Sequence, residues 1–209
     1  PSRPRRTRFK SRSARDRRGQ AAAGRYHQQA GCRQGDDVNI PRRAKEAIRQ
    51  TAALAHEAGR QVAMTLSDPF CVDRYRDEFL DLMRSGTVDI VFANEHELKS
   101  LYQTGDFDTA VAAMRADCRL AAVTRSEKGS LILEGDTTIP VEPLRVEEVT
   151  DTTGAGDLYA AGFLFGYTAG LPLSTCGELG SLAAGIVIQQ IGPRPQVDLR
   201  QKARQHGLI

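Results

Sequence analysis

Residues 151–157 read "DTTGAGD", and the apolar run "LYAAGFLFGYTAGL" (158–171) follows without a break. Two carboxylates bracket two threonines and a Gly-Ala-Gly. Glycines let a chain turn sharply and let a ligand come close to main-chain amides. The run behind them has the length of a buried helix, so the heptad stands where that helix begins. There the first N–H groups point outward, and the helix dipole adds roughly half a positive charge. This is a place for an anion. Asp157, in the first turn, has two explanations. It complements the dipole, or it is a general base for a hydroxyl attacking a phosphoryl group held over the amides. The heptad is not a P-loop, because no Gly-Lys-Ser/Thr follows. Nor is it a dinucleotide fingerprint, because Tyr159 holds the third glycine's place.

Upstream, helical and extended patterns alternate. "RAKEAIRQTAALAHEAG" puts Ala44, Ile48, Ala52 and Ala55 on one face and stops at Gly59. "QVAMTLS" reads as a strand, "DPF" as a loop and "CVDRYRDEFLDLMRSG" as one amphipathic helix. "VDIVFAN" is a strand. Asn94 then caps "EHELKSLYQ", with Glu97 as its capping-box partner. "DTAVAAMRAD" is a helix, "RLAAVTR" a strand, and a hairpin is expected to turn at Gly135-Asp136. Helices follow at 154–169, at about 174–190 and beyond Pro195. In the first of these Leu158, Ala161, Leu164 and Phe165 are expected to face the core, and Gly162 and Gly166 to allow close helix packing. This order implies an α/β fold with a mostly parallel sheet covered on both faces. Ligands of such sheets sit beyond the carboxyl ends of the strands, where "SDPF", "NEHE" and "SEKG" fall.

The chain has 209 residues, is 40% hydrophobic and carries a net charge of +3. That charge conceals two different parts. Residues 1–43 hold 13 basic and 3 acidic side chains, and the remainder 16 basic and 23 acidic. With only Phe9 and Tyr26 as aromatics, the basic segment (1–42) reads as a disordered or non-native leader rather than a nucleic-acid-binding arm. The second part, 43–209, carries the periodic patterns. No apolar run reaches the roughly 18 residues of a membrane span, and nothing resembles the apolar core of a signal peptide. Four scattered cysteines without a C-x-x-C pair argue against a zinc cluster or a disulfide framework, and point to a reducing cytoplasm.

The heptad opening an apolar helix resembles, at seven of seven positions, the signature of the PfkB (ribokinase-like) family of sugar and nucleoside kinases. Asn94 and Glu97 are similar to that family's N-x-x-E element at a strand end. "VTRSEKGS" resembles its T-x-G-x-x-G nucleotide loop, with Thr124 and Gly129 in place and Ser126 where glycine is usual. The resemblance covers about residues 43–209. It implies a three-layer ribokinase-like fold and ATP-dependent transfer of a γ-phosphoryl group to a hydroxyl. It further implies that Asp157 is the general base and that Gly154, Ala155 and Gly156 form the anion hole. Asn94 and Glu97 would hold Mg²⁺ through water, and Thr124, Ser126 and Gly129 would line the ATP site. Asp151 and Thr153 would shape the loop near a monovalent cation. "TLSDPF" resembles the adenosine-kinase branch, which implies a small-molecule acceptor, adenosine at its 5′-hydroxyl, with a sugar of the ribose or fructose type as the alternative.

The resemblance also implies elements for which residues 1–43 offer no pattern: further central strands, a lid sheet, a Gly-Gly element and an acid for the acceptor. Without them the expectation is an open sheet edge, weak stability, little turnover by this chain alone, and either aggregation or pairing as a homodimer. A non-catalytic fragment whose basic arm binds nucleic acid or a partner is the competing reading.

Overall fold

Strand β2 (Ile90–Asn94) shows how the chain layers itself. Its residues alternate between two cores: Val91 and Ala93 enter one, Ile90 and Phe92 the other. Strand β3 (Leu120–Thr124) repeats the pattern, with Ala121 and Val123 against Leu120 and Ala122. A period of two that is apolar on both faces needs helices on both sides. This computed structural model describes residues 42–209.

The sheet is completed by β1 (Ala63–Thr65), β4 (Ser130–Glu134) and β5 (Thr137–Val141), in the spatial order β1-β2-β3-β4-β5. β1, β2 and β3 run parallel; β4 and β5 are antiparallel additions that turn at Gly135 (φ +52°), where the hairpin was expected. The helices are α1 (Arg42–Glu57), α2 (Pro69–Arg74), α3 (Arg76–Arg84), α4 (Glu95–Tyr102) and α5 (Phe107–Asp117). After the hairpin come α6 (Ala155–Thr168), α7 (Leu173–Val187) and α8 (Leu199–Gln205). Val72, Leu80, Leu98, Leu101 and Met114, from α2 to α5, seal one face of the sheet. Tyr159, Phe163 and Cys176, from α6 and α7, seal the other. Residues Glu46–Ile209 form one compact unit, and all five strands lie in it. The basic leader read at 1–42 lies outside the described residues except for Arg42, which opens α1.

Two local expectations are corrected. "DPF" is not a loop: the Asp68 carboxylate accepts from the Cys71 amide at 3.0 Å and Pro69 opens α2, which are start signals of a helix. The expected single helix from Cys71 onward is two, broken at Tyr75 (φ −120°, ψ 28°). The buried face of α6 also differs. Tyr159, Phe163 and Gly166 are buried, Leu158 and Leu164 half-buried, and Ala161 and Phe165 exposed. Tyr159 and Phe163 enter the core under β2 and β3, and the glycine edge meets α7, which packs so close that the backbone, not side-chain size, sets the contact. A methyl on Gly162 would collide with the Leu179 carbonyl oxygen, and one on Gly180 would lie 2.8 Å from the Tyr159 oxygen. The glycine packing expected for Gly162 and Gly166 is therefore present.

Among the described residues nothing pairs with the outer edge of β1. Ile48 and Leu54 of α1 and Phe70 of α2 are exposed. No helix among them is long and apolar enough to cross a membrane.

Candidate active site

The heptad is held from behind. Asp151 Oδ1 accepts from the Thr153 amide (2.9 Å) and hydroxyl (2.7 Å), an Asx-type turn that shapes the loop. Asp151 Oδ2 accepts from the Gly192 amide at 2.9 Å. The Thr150 and Asp151 amides both donate to the Ile188 carbonyl, at 2.8 and 3.2 Å. Gly154 takes φ +81°, and a methyl there would lie 2.6 Å from Pro193 Cβ, so only glycine fits. The segment 188–193 is thus the mould for the loop. Sequence reading missed it, although Gly192-Pro193 is a chain-punctuating pair that marked a turn there.

Gly154 is the N-cap of α6 and makes no side-chain cap bond. The Ala155 amide, which the resemblance placed in the anion hole with Gly154 and Gly156, is taken up instead by the Thr152 carbonyl at 3.1 Å. No acceptor among the described residues takes the amides of Gly154, Gly156 and Asp157. Three donors at a helix N-terminus therefore stay open to an anion. Asp157 is exposed, and its carboxylate bonds to nothing among the described residues. It makes no cap bond to the first-turn amides, while its charge still lies in the first turn of α6, beside the positive end of the dipole.

Asn94 and Glu97 behave in the opposite way. The Glu97 amide donates to Asn94 Oδ1 (2.8 Å), the Asn94 amide to Glu97 Oε2 (2.9 Å), and Asn94 Nδ2 to Glu97 Oε1 (2.6 Å). The capping box read from the sequence is fully formed. Glu97 is buried, and burial raises its carboxyl above the usual range; the nearby Asp68 charge adds to this, against the Asn94 amide. Among the described residues no three His, Cys, Asp or Glu side chains cluster as a metal site.

The third loop leaves β3 beside them, since Thr124 lies opposite Asn94 in the parallel register and its hydroxyl donates to the Ala93 carbonyl at 3.4 Å. Ser126 stands at φ +52°. That is the left-handed region, and it gives a physical reason why glycine is usual at this place. Gly129 (φ +77°) lies against the Val141 carbonyl and Pro143, so its lack of a side chain is also required by packing. A buried hydrogen bond of 2.7 Å between Ser130 and Tyr159 ties the exit of this loop to the first turns of α6. The structure so connects the heptad to the 124–130 loop, and that loop to Asn94.

A concavity of about 250 Å³ lies farther along α6, between it, α7 and α8, lined by Ala161, Phe165, Leu182, Arg200 and Ala203. It is apolar and contains none of the residues above.

A model of the pfkB carbohydrate kinase family matches residues 16–199. The chain belongs to the PfkB family. Among solved structures it is similar to a probable sugar kinase from Rhizobium etli CFN 42, at 63% identity and a TM-score of 0.80 over 81% of this chain and 52% of that one. It is equally similar to the adenosine kinase from Sinorhizobium meliloti, at 63% identity and a TM-score of 0.78 over 79% of this chain and 51% of that one. Arabidopsis thaliana ribokinase, solved with ribose and ATP, shares 24% identity at a TM-score of 0.62 over 77% of this chain and 52% of that one. That likeness shows a ribokinase-like fold. The PfkB chain described here spans about half the length of each of these structures.

Proposed function

We propose that the heptad and the two strand-end loops form the ATP side of a phosphotransferase site acting on a nucleoside. One observation carries the reading: Asp157 stands exposed and unbonded beside three unclaimed amides at a glycine-capped helix start. Its carboxylate would accept the proton of an acceptor hydroxyl. The hydroxyl oxygen would bond to the γ-phosphorus of ATP, and the bond from that phosphorus to the β–γ bridging oxygen would break, releasing ADP. The Gly154, Gly156 and Asp157 amides would stabilise the charge on the transferring group, where a preorganised donor contributes about 3 kcal/mol. Thr124, Ser126 and Gly129 would flank the nucleotide.

Mg²⁺ fits the Asn94–Glu97 pair in one way. Each oxygen already accepts one protein hydrogen bond and retains a lone pair, so the pair suits a hydrated ion held through water. The ion would neutralise phosphate charge in such a transfer.

Adenosine is the proposed acceptor, supported by "TLSDPF" and by 63% identity to an adenosine kinase. A sugar acceptor is the second reading, favoured by equal identity to a probable sugar kinase. The test is Mg·ATP binding and ADP release with adenosine, other nucleosides, ribose and fructose, for the full chain and Asp157→Asn. The expected result is Mg·ATP binding by both chains, with the little turnover expected of this chain on adenosine falling by about 10²–10⁴-fold in the variant. Full turnover in the variant would remove Asp157 from its role, and absence of Mg·ATP binding by the parent chain would remove the site.

A further inference from the structure

We propose that Arg125 is a positioning residue that braces the end of β3 against the end of β2, so that the 124–130 loop and the Asn94–Glu97 box keep one geometry toward the nucleotide; this rests on the kinase reading above. Asn94 and Thr124 are register partners. One residue further along each strand stand Glu95 and Arg125, and these join across the gap. Arg125 Nε lies 3.3 Å from Glu95 Oε2, and the other carboxylate oxygen takes Lys99 Nζ at 2.7 Å. The guanidinium lies 4.1 Å from the centroid of the Phe107 ring, the first residue of α5.

Arg125 also closes its own loop through the main chain. Its amide donates to the Gly129 carbonyl at 2.8 Å, and its carbonyl accepts from the Lys128 amide at 3.0 Å. One residue therefore holds the loop shut and fastens it to β2, α4 and α5. A surface ion pair contributes little because water screens it and two long side chains must be ordered. Here the Glu95 and Arg125 side chains are only 19% and 24% exposed, and the guanidinium sits over the Phe107 ring. Lysine could replace the charge but not the planar, delocalised group that holds the carboxylate and the ring together. The position is one of the unspecified places of T-x-G-x-x-G, so the motif assigns it nothing. The cores on both faces of the sheet are apolar and do not use it.

The test measures amide hydrogen exchange and Mg·ATP affinity in the full chain and in Arg125→Ala, Arg125→Lys and Glu95→Gln. Arg84→Ala, which breaks the 2.8 Å Arg84–Asp117 pair, is the control for losing an ion pair elsewhere. In Arg125→Ala, exchange at the Glu97 amide and at the Arg125 and Gly129 amides is expected to rise together, by about 10-fold or more, with the strand core unchanged. Mg·ATP affinity should fall by about 5-fold or more, because the two loops must then be ordered on binding. Arg125→Lys should restore less than half of either effect, and Arg84→Ala should reproduce neither. Faster exchange confined to the 124–130 loop, or unchanged affinity in Arg125→Ala, would overturn the brace. If the parent chain binds no Mg·ATP, the kinase reading fails by itself, and the exchange at Glu97 still decides whether Arg125 joins the two loops.

Discussion

Ser126 and Glu97 show what single residues carry here. Ser126 has φ +52°, where a side chain with a Cβ is strained by roughly 1–2 kcal/mol. Glycine would relieve this but lose about 0.5–1 kcal/mol through the freer unfolded chain. Ser126→Gly should therefore leave stability unchanged or raise it, by at most about 1.5 kcal/mol, whereas Ser126→Val should lower it by about 1 kcal/mol or more, since β-branching is poorly tolerated there. Urea unfolding of both variants decides it, and equal losses would mean the strain lies elsewhere. Glu97 makes a prediction in pH. Burial holds its carboxyl above the unfolded value of 4.5, so the folded chain binds the proton more tightly than the unfolded one. Its contribution to stability thus declines as pH rises from about 4.5 through the folded value, and is lowest once the group is ionised in both states. Glu97→Gln should flatten that part of the stability–pH profile. A profile identical to the parent's would place the titration on another group.

At the scale of elements, the contact between α6 and α7 holds the anion-binding helix end in place. Gly162 and Gly180 let the two helices approach until backbone meets backbone, and Gly166 admits the Leu179 and Cys176 side chains. Gly162→Ala should destabilise by about 1–3 kcal/mol, because the packing leaves no room for a methyl group. Gly105→Ala, with no neighbour within 4 Å of an added methyl, should stay within about 0.5 kcal/mol of the parent. Denaturant midpoints measured side by side test the pair. If Gly162→Ala proves neutral, α6 is free to shift and its N-terminus is not rigidly placed. The two small helices α2 and α3 carry a different lesson. Their start at Asp68-Pro69 obeys ordinary capping chemistry, yet a Pro after a short strand also reads as a loop, and local sequence alone does not separate the two.

At the scale of the molecule, the Ser130–Tyr159 bond joins the antiparallel hairpin to α6 across the sheet. Burial, only partly offset by that bond, pushes the Tyr159 hydroxyl up to about 12. Tyr159→Phe leaves the buried Ser130 hydroxyl unpaired and should cost about 1–3 kcal/mol. Adding Ser130→Ala should then cost little more. Additive losses in that double-mutant cycle would show that the two hydroxyls do not depend on each other. Strand order, the helices other than the split pair after Asp68, the capping box, the hairpin and the family were legible in the sequence, because each rests on local periodicity or on a short motif whose residues are adjacent in the chain. The buried face of α6 was not, since in "LYAAGFLFGYT" almost every position is apolar or small and periodicity cannot choose a side. Nor was the 188–193 mould, because Asp151 and Gly192 are 41 residues apart and only the packing of α6 on α7 brings them within 2.9 Å. The sequence by itself determined which residues stand at helix starts and strand ends. Only the tertiary structure decided which of those ends are already satisfied, as at Asn94–Glu97, and which stay open, as at Gly154–Asp157, because a hydrogen-bond partner is a matter of position in space.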